Sequence, residues 1–182
     1  WTLSRGLGDV YKRQVIGLNH KSANIDVRGK YSFTSDTLSL LLRRIKKVID
    51  INEVLIISTC NRTEIYADSK SGFRDIQNWL KTEKEYQSFA NYMYVHQEED
   101  AIRHLFKVVS GLDSMVVGES EVLGQVKKSY KIALENKTID SKLKRLFEYS
   151  FSVAKNVRTN TDIGGNAISV SYTHLTLPTN CV

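Results

Sequence analysis

The hydrophobic pattern of this chain changes character near residue 97. Before it, short apolar runs alternate with amphipathic stretches. Val15-Ile-Gly-Leu-Asn-His20 is a short apolar strand running into a polar turn. Thr34-Ser35-Asp36 can cap a helix whose apolar positions, Leu38, Leu41, Leu42, Ile45, Val48 and Ile49, follow the 3.6-residue period. Val54 to Ile57 is a continuous apolar run and Thr63 to Ala67 alternates polar with apolar. That predicts two strands meeting at Ser58-Thr59-Cys60-Asn61-Arg62. Ser71-Gly72 is a turn, Phe73, Ile76, Trp79 and Leu80 give a second amphipathic helix, and Tyr92 to Val95 reads as a fourth strand. Strand, helix, strand, strand, helix, strand is the order of a ferredoxin-like split βαβ sheet, expected over residues 15–96.

From Gln97 the pattern is helical. Glu98-Glu99-Asp100 supplies a first turn, Ile102, Leu105, Phe106 and Val109 form a stripe, and Gly111 ends it. Residues 112–120 read as a loop. A helix over 121–135 carries Val122, Val126, Tyr130, Ala133 and Leu134 on one side. A longer helix follows, with Ile139, Leu143, Leu146, Phe147, Ser150, Val153, Ala154 and Val157 facing inward. The expected class is α+β: the split βαβ sheet, then a helical segment over 97–170.

Composition adds limits. Hydrophobic residues at 41% and charged ones at 25% describe an ordinary globular chain, with no apolar run near the roughly 18–20 residues of a membrane span. Two distant cysteines, Cys60 and Cys181, make no disulfide framework, so a cytoplasmic location is the expectation. Both ends look foreign. Trp1–Gln14 has no periodicity, and 171–182 holds the only proline, Pro178, so both read as adapter-derived flanks, with Cys181 and His174 in the second. Of the formal net charge of +6, residues 1–14 carry +2 and residues 171–182 none, leaving +4 for 15–170. A modest basic bias invites a polyanionic partner.

Cys60 stands at a strand end among small hydroxyl residues, two positions before an arginine. Backbone N–H donors and positive charge both favour the reactive thiolate, yet a small buried hydrophobe is the commoner fate of a free cysteine. Spacing alone leaves both readings open. Several stretches then settle into one pattern: Gly17-Leu-Asn-His-Lys-Ser22, Ser58-Thr-Cys-Asn-Arg-Thr-Glu64, His104-Leu-Phe106, Gly111-Leu-Asp-Ser-Met-Val-Val-Gly-Glu119 and Leu123-Gly-Gln-Val-Lys127. In order and spacing they closely resemble glutamyl-tRNA reductase, over roughly residues 15–170 and specifically its N-terminal catalytic domain.

The resemblance implies that a cysteine thiolate takes the glutamyl group from glutamyl-tRNA as a thioester. The full-length enzyme then reduces it with NADPH to glutamate-1-semialdehyde, in tetrapyrrole (porphyrin) biosynthesis. It implies Cys60 as nucleophile and His104 as a general acid or base, although a lone helical histidine is usually structural. It places Arg62 on the substrate's side-chain carboxylate, against the alternative of a surface salt bridge with Glu64. Thr59 and Asn61 would hydrogen-bond the acyl group or merely build the turn. Ser114, Glu119, Ser120, Glu121 and Gln125 would line the pocket, Glu119 facing the α-ammonium; Glu121 stands where glutamine is more usual, and Asn24 where proline is. His20 has no assigned chemistry. No metal site is expected, and no G-x-G-x-x-G follows a strand, so NADPH-binding and dimerisation domains are expected to be absent from this chain. A homodimer is implied for the full-length enzyme, with an aminomutase, the next enzyme of the route, as a candidate partner. Two other readings stand beside it. One is a non-catalytic tRNA-binding module using Lys127, Lys128, Lys131, Lys142, Lys144 and Arg145, residues that equally suit a solvated face; the other is a cysteine acyl hydrolase.

Overall fold

A computed structural model describes residues 12–70, 73–83 and 86–164. The expected turn at Ser71-Gly72 and the flank 171–182 lie outside them. Four strands, β1 (Lys12–Asn19), β2 (Glu53–Ser58), β3 (Arg62–Ser69) and β4 (Tyr94–Gln97), form one antiparallel sheet in the order β2-β3-β1-β4. Helices α2 (Ser35–Val48) and α3 (Phe73–Thr82) make the two crossovers, so the split βαβ order holds. β1 begins at Lys12, ahead of the expected boundary at residue 15, and Lys12–Gln14 pair with Ser69–Ala67. The fourth strand sits two residues later than its apolar run suggested. A short helix, α1 (Ile25–Lys30), was not visible in the pattern; Asn24 caps it by accepting from Val27 N at 2.9 Å.

The second face of the sheet is covered by α4 (Glu98–Val109), α5 (Glu121–Glu135) and α6 (Ser141–Asn160). Helices on both faces explain why all eight residues of β3 are buried, polar ones included. Leu38, Leu41, Leu42 and Ile45 bury α2 as their spacing requires, whereas Val48 is 61% exposed. In α4 the inward side is Ala101, Leu105, Val108 and Val109, a rotation from the expected stripe that leaves Ile102 and Phe106 half-buried and carries His104 toward the sheet. Leu134 of α5 is exposed, and Ser129 and Ile132 take its place.

Polar residues on this second face are each tied down. Glu53 of β2 accepts from the backbone N–H groups of Asp140, Lys142 and Leu143 at 2.8–2.9 Å, a carboxylate set against the N-terminus of α6. Asp68 accepts from Lys142 Nζ at 3.1 Å, so this exposed lysine has a buried carboxylate as its partner. Gly17 of β1 faces Glu64 in register, and a Cβ there would meet Glu64 Cγ at 2.6 Å and the Thr63 carbonyl at 2.9 Å. Gly17→Ala is therefore expected to lower stability by about 1–3 kcal/mol through overpacking. Denaturant unfolding checks it; an unchanged midpoint would mean the strand yields freely.

Candidate active site

The β2–β3 hairpin turn is built by Thr59. Its backbone N–H donates to the Arg62 carbonyl at 2.9 Å, and its Oγ1 accepts from Asn61 N at 3.2 Å and Arg62 N at 3.1 Å. These three Thr59 bonds are the turn chemistry weighed for it. The turn leaves Cys60 exposed, which excludes the buried-hydrophobe reading. Across the register, Asn19 of β1 faces Arg62, so the turn after β1 lies beside this one. Asn19 Oδ1 closes that turn by accepting from Lys21 N and Ser22 N, and Arg28 links the two, donating to the carbonyls of Ala23 at 2.8 Å and Cys60 at 3.3 Å.

Arg62, Glu64 and Tyr66 project from one face of β3 because they are spaced by two. Arg62 is 1% exposed. Its Nη1 donates to Glu64 Oε1 at 2.8 Å and to Asp113 Oδ2 at 3.1 Å, and its Nη2 to the Asp113 carbonyl. The pairing with Glu64 exists, but it is buried rather than on the surface. Glu64, fully buried, also accepts from the hydroxyls of Tyr66 (2.7 Å) and Tyr94 and bonds His104 Nε2 at 2.8 Å. Burial works to raise its pKa. The His104 hydrogen bond and the Arg62 charge outweigh that and hold the carboxyl well below the usual range. Burial likewise disfavours ionised Asp113, yet its bond from Lys21 (2.5 Å) and the Arg62 charge keep its pKa low.

His104, with its side chain 11% exposed, is oriented by this carboxylate. An ionised Glu64 can only accept, so Nε2 carries the proton and Nδ1 is the basic nitrogen of neutral His104. Nδ1 makes no hydrogen bond among the described residues. The ring also packs on His96 and Tyr94, at centroid distances of 4.8 and 5.3 Å. Burial, then the neighbouring His104, pushes the His96 pKa down. His20 Nδ1 is buried without a partner; burial and the Arg62 charge lower that imidazole's pKa.

The loop from Gly111 to Glu119 closes through Gly118 N on the Gly111 carbonyl at 2.9 Å, both glycines having positive φ. A Cβ on Gly118 would lie 1.8 Å from the Ile163 carbonyl, so the loop abuts the short turn that follows α6. Asp113 reaches Arg62 from this loop, and Ser114 beside it is buried with its hydroxyl unpartnered.

A family model for the glutamyl-tRNAGlu reductase N-terminal domain matches residues 16–161. The chain belongs to this family. It is 44% identical over 163 residues to a glutamyl-tRNA reductase of Xylella fastidiosa (strain M23), covering 90% of this chain and 37% of that protein. With a glutamyl-tRNA reductase of Aliivibrio fischeri (strain ATCC 700601 / ES114) it shares 45% identity over 168 residues, covering 90% and 40%. The solved structure of glutamyl-tRNA reductase from Methanopyrus kandleri superposes with a TM-score of 0.70 at 33% identity, over 82% of this chain and 35% of that one. The chain thus spans less than half the length of the curated relatives it matches.

Of the residues expected from the sequence, the fold joins Arg62 and His104 through Glu64, while Ser114 follows Asp113 in the chain with its own hydroxyl unpartnered. Cys60 and Asn61 stand at the turn beside them. Glu119, Ser120, Glu121 and Gln125 run from the loop end into α5, and among the described residues none bonds Cys60, Arg62 or His104; Ser120 and Glu121 are exposed. Sequence reasoning named Glu64 only as a surface salt-bridge partner of Arg62 and passed over Tyr66, Tyr94 and Asp113 as members of the cluster; polar residues spaced by two in β3 were the available signal for Glu64 and Tyr66. For NADPH, the β1–α1 and β4–α4 junctions carry no glycine cluster and the sheet is wholly antiparallel, so the described residues do not fit a dinucleotide. Nor do they hold a metal-ligating cluster or a helix long and apolar enough to cross a membrane.

Proposed function

We infer that the chain takes the glutamyl group of glutamyl-tRNA onto Cys60 as a thioester, the first half of a glutamyl-tRNA reductase reaction. One observation carries this reading: an exposed thiol two residues from a buried Arg62–Glu64–His104 network, in a chain of this family. The Cys60 thiolate attacks the ester carbonyl and the ribose oxygen leaves. With Nε2 held on Glu64, His104 exchanges the proton through Nδ1. Arg62 holds the substrate's side-chain carboxylate, which requires Asp113 to give up part of its share of the guanidinium. Thr59 positions the turn, while Asn61, Ser114, Glu119, Ser120, Glu121 and Gln125 surround the acyl group. A thioester accepts hydride more readily than an ester, so the full-length enzyme reduces it with NADPH to glutamate-1-semialdehyde for tetrapyrrole synthesis. That enzyme is cytoplasmic and homodimeric, and an aminomutase takes its product. A plain tRNA-binding module needs neither the thiol nor an oriented imidazole, and a dedicated acyl hydrolase needs no place in this family.

Timed loss of the aminoacyl bond tests the reading. The chain should deacylate glutamyl-tRNA and spare glutaminyl-tRNA, because only the first presents a carboxylate to Arg62. Arg62→Lys keeps the charge without the two-pronged geometry, and is expected to shrink that preference by about 10- to 150-fold, the equivalent of about 1.5–3 kcal/mol. The ratio of the two substrates is the readout, since burying lysine in this network also costs stability. An unaltered ratio would remove Arg62 from the carboxylate; an ester lifetime untouched by the wild-type chain would remove the acyl-transfer reading.

A further inference from the structure

Chemistry at Cys60 uses only the aminoacyl end of a tRNA, and the phosphates behind that end need a surface of their own. Helices α5 and α6 enclose a groove of about 450 Å³ whose lining includes Lys127, Phe151, Ser152, Lys155, Arg158 and Thr159. Three of these are cations and none is acidic. Lys127 and Lys155 are exposed and form no ion pair among the described residues, unlike Lys131 on Glu135 and Lys142 on Asp68. Lys127 Nζ stands 5.7 Å from the centre of the half-buried Phe151 ring. Arg158 Nε is buried with no partner. Three like charges around one groove repel unless an anion joins them.

The groove is also tied to the candidate site through one loop. Arg158 Nη2 donates to the Glu119 carbonyl at 2.7 Å. Glu119 ends the loop whose Asp113 binds Arg62. Cations at one end and the Arg62 cluster at the other therefore share a single loop.

We propose that the α5–α6 groove binds the single-stranded ribose-phosphate backbone next to the aminoacyl end of the tRNA. Lys127, Lys155 and Arg158 contact phosphates, and Phe151 offers a face for one base. This rests on the acyl-transfer reading of Cys60. Phosphate contacts release counterions, so affinity should fall with salt, and each contact to a single strand contributes about 0.7 to the slope of log affinity against log salt.

Fluorescence anisotropy with labelled uncharged tRNA and with a short single-stranded RNA tests the groove, using the chain and its Lys127→Glu/Lys155→Glu double variant. Both positions are exposed, so the thermal unfolding curve should be unchanged. The double variant should bind both RNAs at least tenfold more weakly, with a salt slope lower by about 1.4. In acyl transfer its KM should rise while kcat stays within about twofold. Phe151→Leu, which keeps the packing apolar, should weaken the single-stranded RNA several-fold. Unchanged affinity in the double variant overturns the groove, whatever happens at Cys60. Displacement of RNA by inorganic phosphate or a free mononucleotide at concentrations near the RNA's own Kd also overturns it, in favour of a small-anion site. If reversal abolishes RNA binding while the wild-type chain binds RNA yet never acylates Cys60, the groove stands and only the acyl-transfer reading falls.

Discussion

Cys60→Ser is expected to reduce deacylation of glutamyl-tRNA to the background rate, a loss of roughly three orders of magnitude or more, with the unfolding transition unmoved. The two halves of this expectation have separate causes. A free thiol ionises near 8.5 and offers some thiolate at neutral pH, whereas a serine hydroxyl needs an adjacent strong base. His104 serves the departing ribose oxygen in this reading, and among the described residues no base hydrogen-bonds the Cys60 side chain, so a serine there lacks the contact that activates a hydroxyl. Stability is spared because Cys60 is exposed and its bond from Arg28 goes to the backbone carbonyl, which serine keeps. Single-turnover deacylation with denaturant unfolding on the same sample checks both. Serine retaining a tenth of the rate would place the nucleophile elsewhere.

Glu64→Gln should have the largest effect on stability, a loss of about 3–5 kcal/mol. The carboxylate is fully buried and receives Arg62, His104, Tyr66 and Tyr94. An amide of the same shape takes from the Arg62 guanidinium its fully buried counter-charge, leaving it the partly exposed Asp113, and turns one acceptor into a donor facing donors. The same substitution predicts a pH dependence. The Glu64 carboxyl has a folded pKa held below its ordinary 4.5, so its stabilisation is fully present above about that pH and is lost as pH falls toward the folded value. Asp113 shifts in the same direction and adds to the acid sensitivity. The gap between wild type and Glu64→Gln should therefore be constant at neutral pH and narrow below about 4.5. A gap that stays constant down to pH 3 would mean the carboxylate charge is not what the network uses. Activity should fall too, because His104 loses the acceptor that fixes its tautomer.

Much of the scaffold was legible because its signals are local. The apolar run Val54–Ile57, the Thr59 turn and the period of Leu38, Leu41, Leu42 and Ile45 each report a single element, and each element formed. The family motifs lie within those elements, which is why Cys60 could be placed at a strand end from the sequence. Reading the polar residues of β3 was harder. Alternation usually means one wet face, yet here α4, α5 and α6 cover that face, and charge is tolerated there only because partners from residues 104 and 113 arrive across the fold. Nothing within β3 announces those partners. The α4 stripe was misjudged for a related reason: Ala101 and Val108 are small, so the larger Ile102 and Phe106 dominated the pattern while the side bearing His104 turned inward. Val48 and Leu134 show the opposite limit, apolar residues in helical register that fall just beyond their helix's contact surface.

The most direct measurement is the mass of the chain, quenched in acid during incubation with glutamyl-tRNA and then digested for peptide mapping. The expected result is a protein heavier by one glutamyl group. The added mass should fall on the peptide containing Cys60, be released by hydroxylamine as a thioester is, and be missing from Cys60→Ser. A glutamyl adduct on any other residue, or deacylation proceeding with no adduct on Cys60 at any quench time, would contradict the central claim.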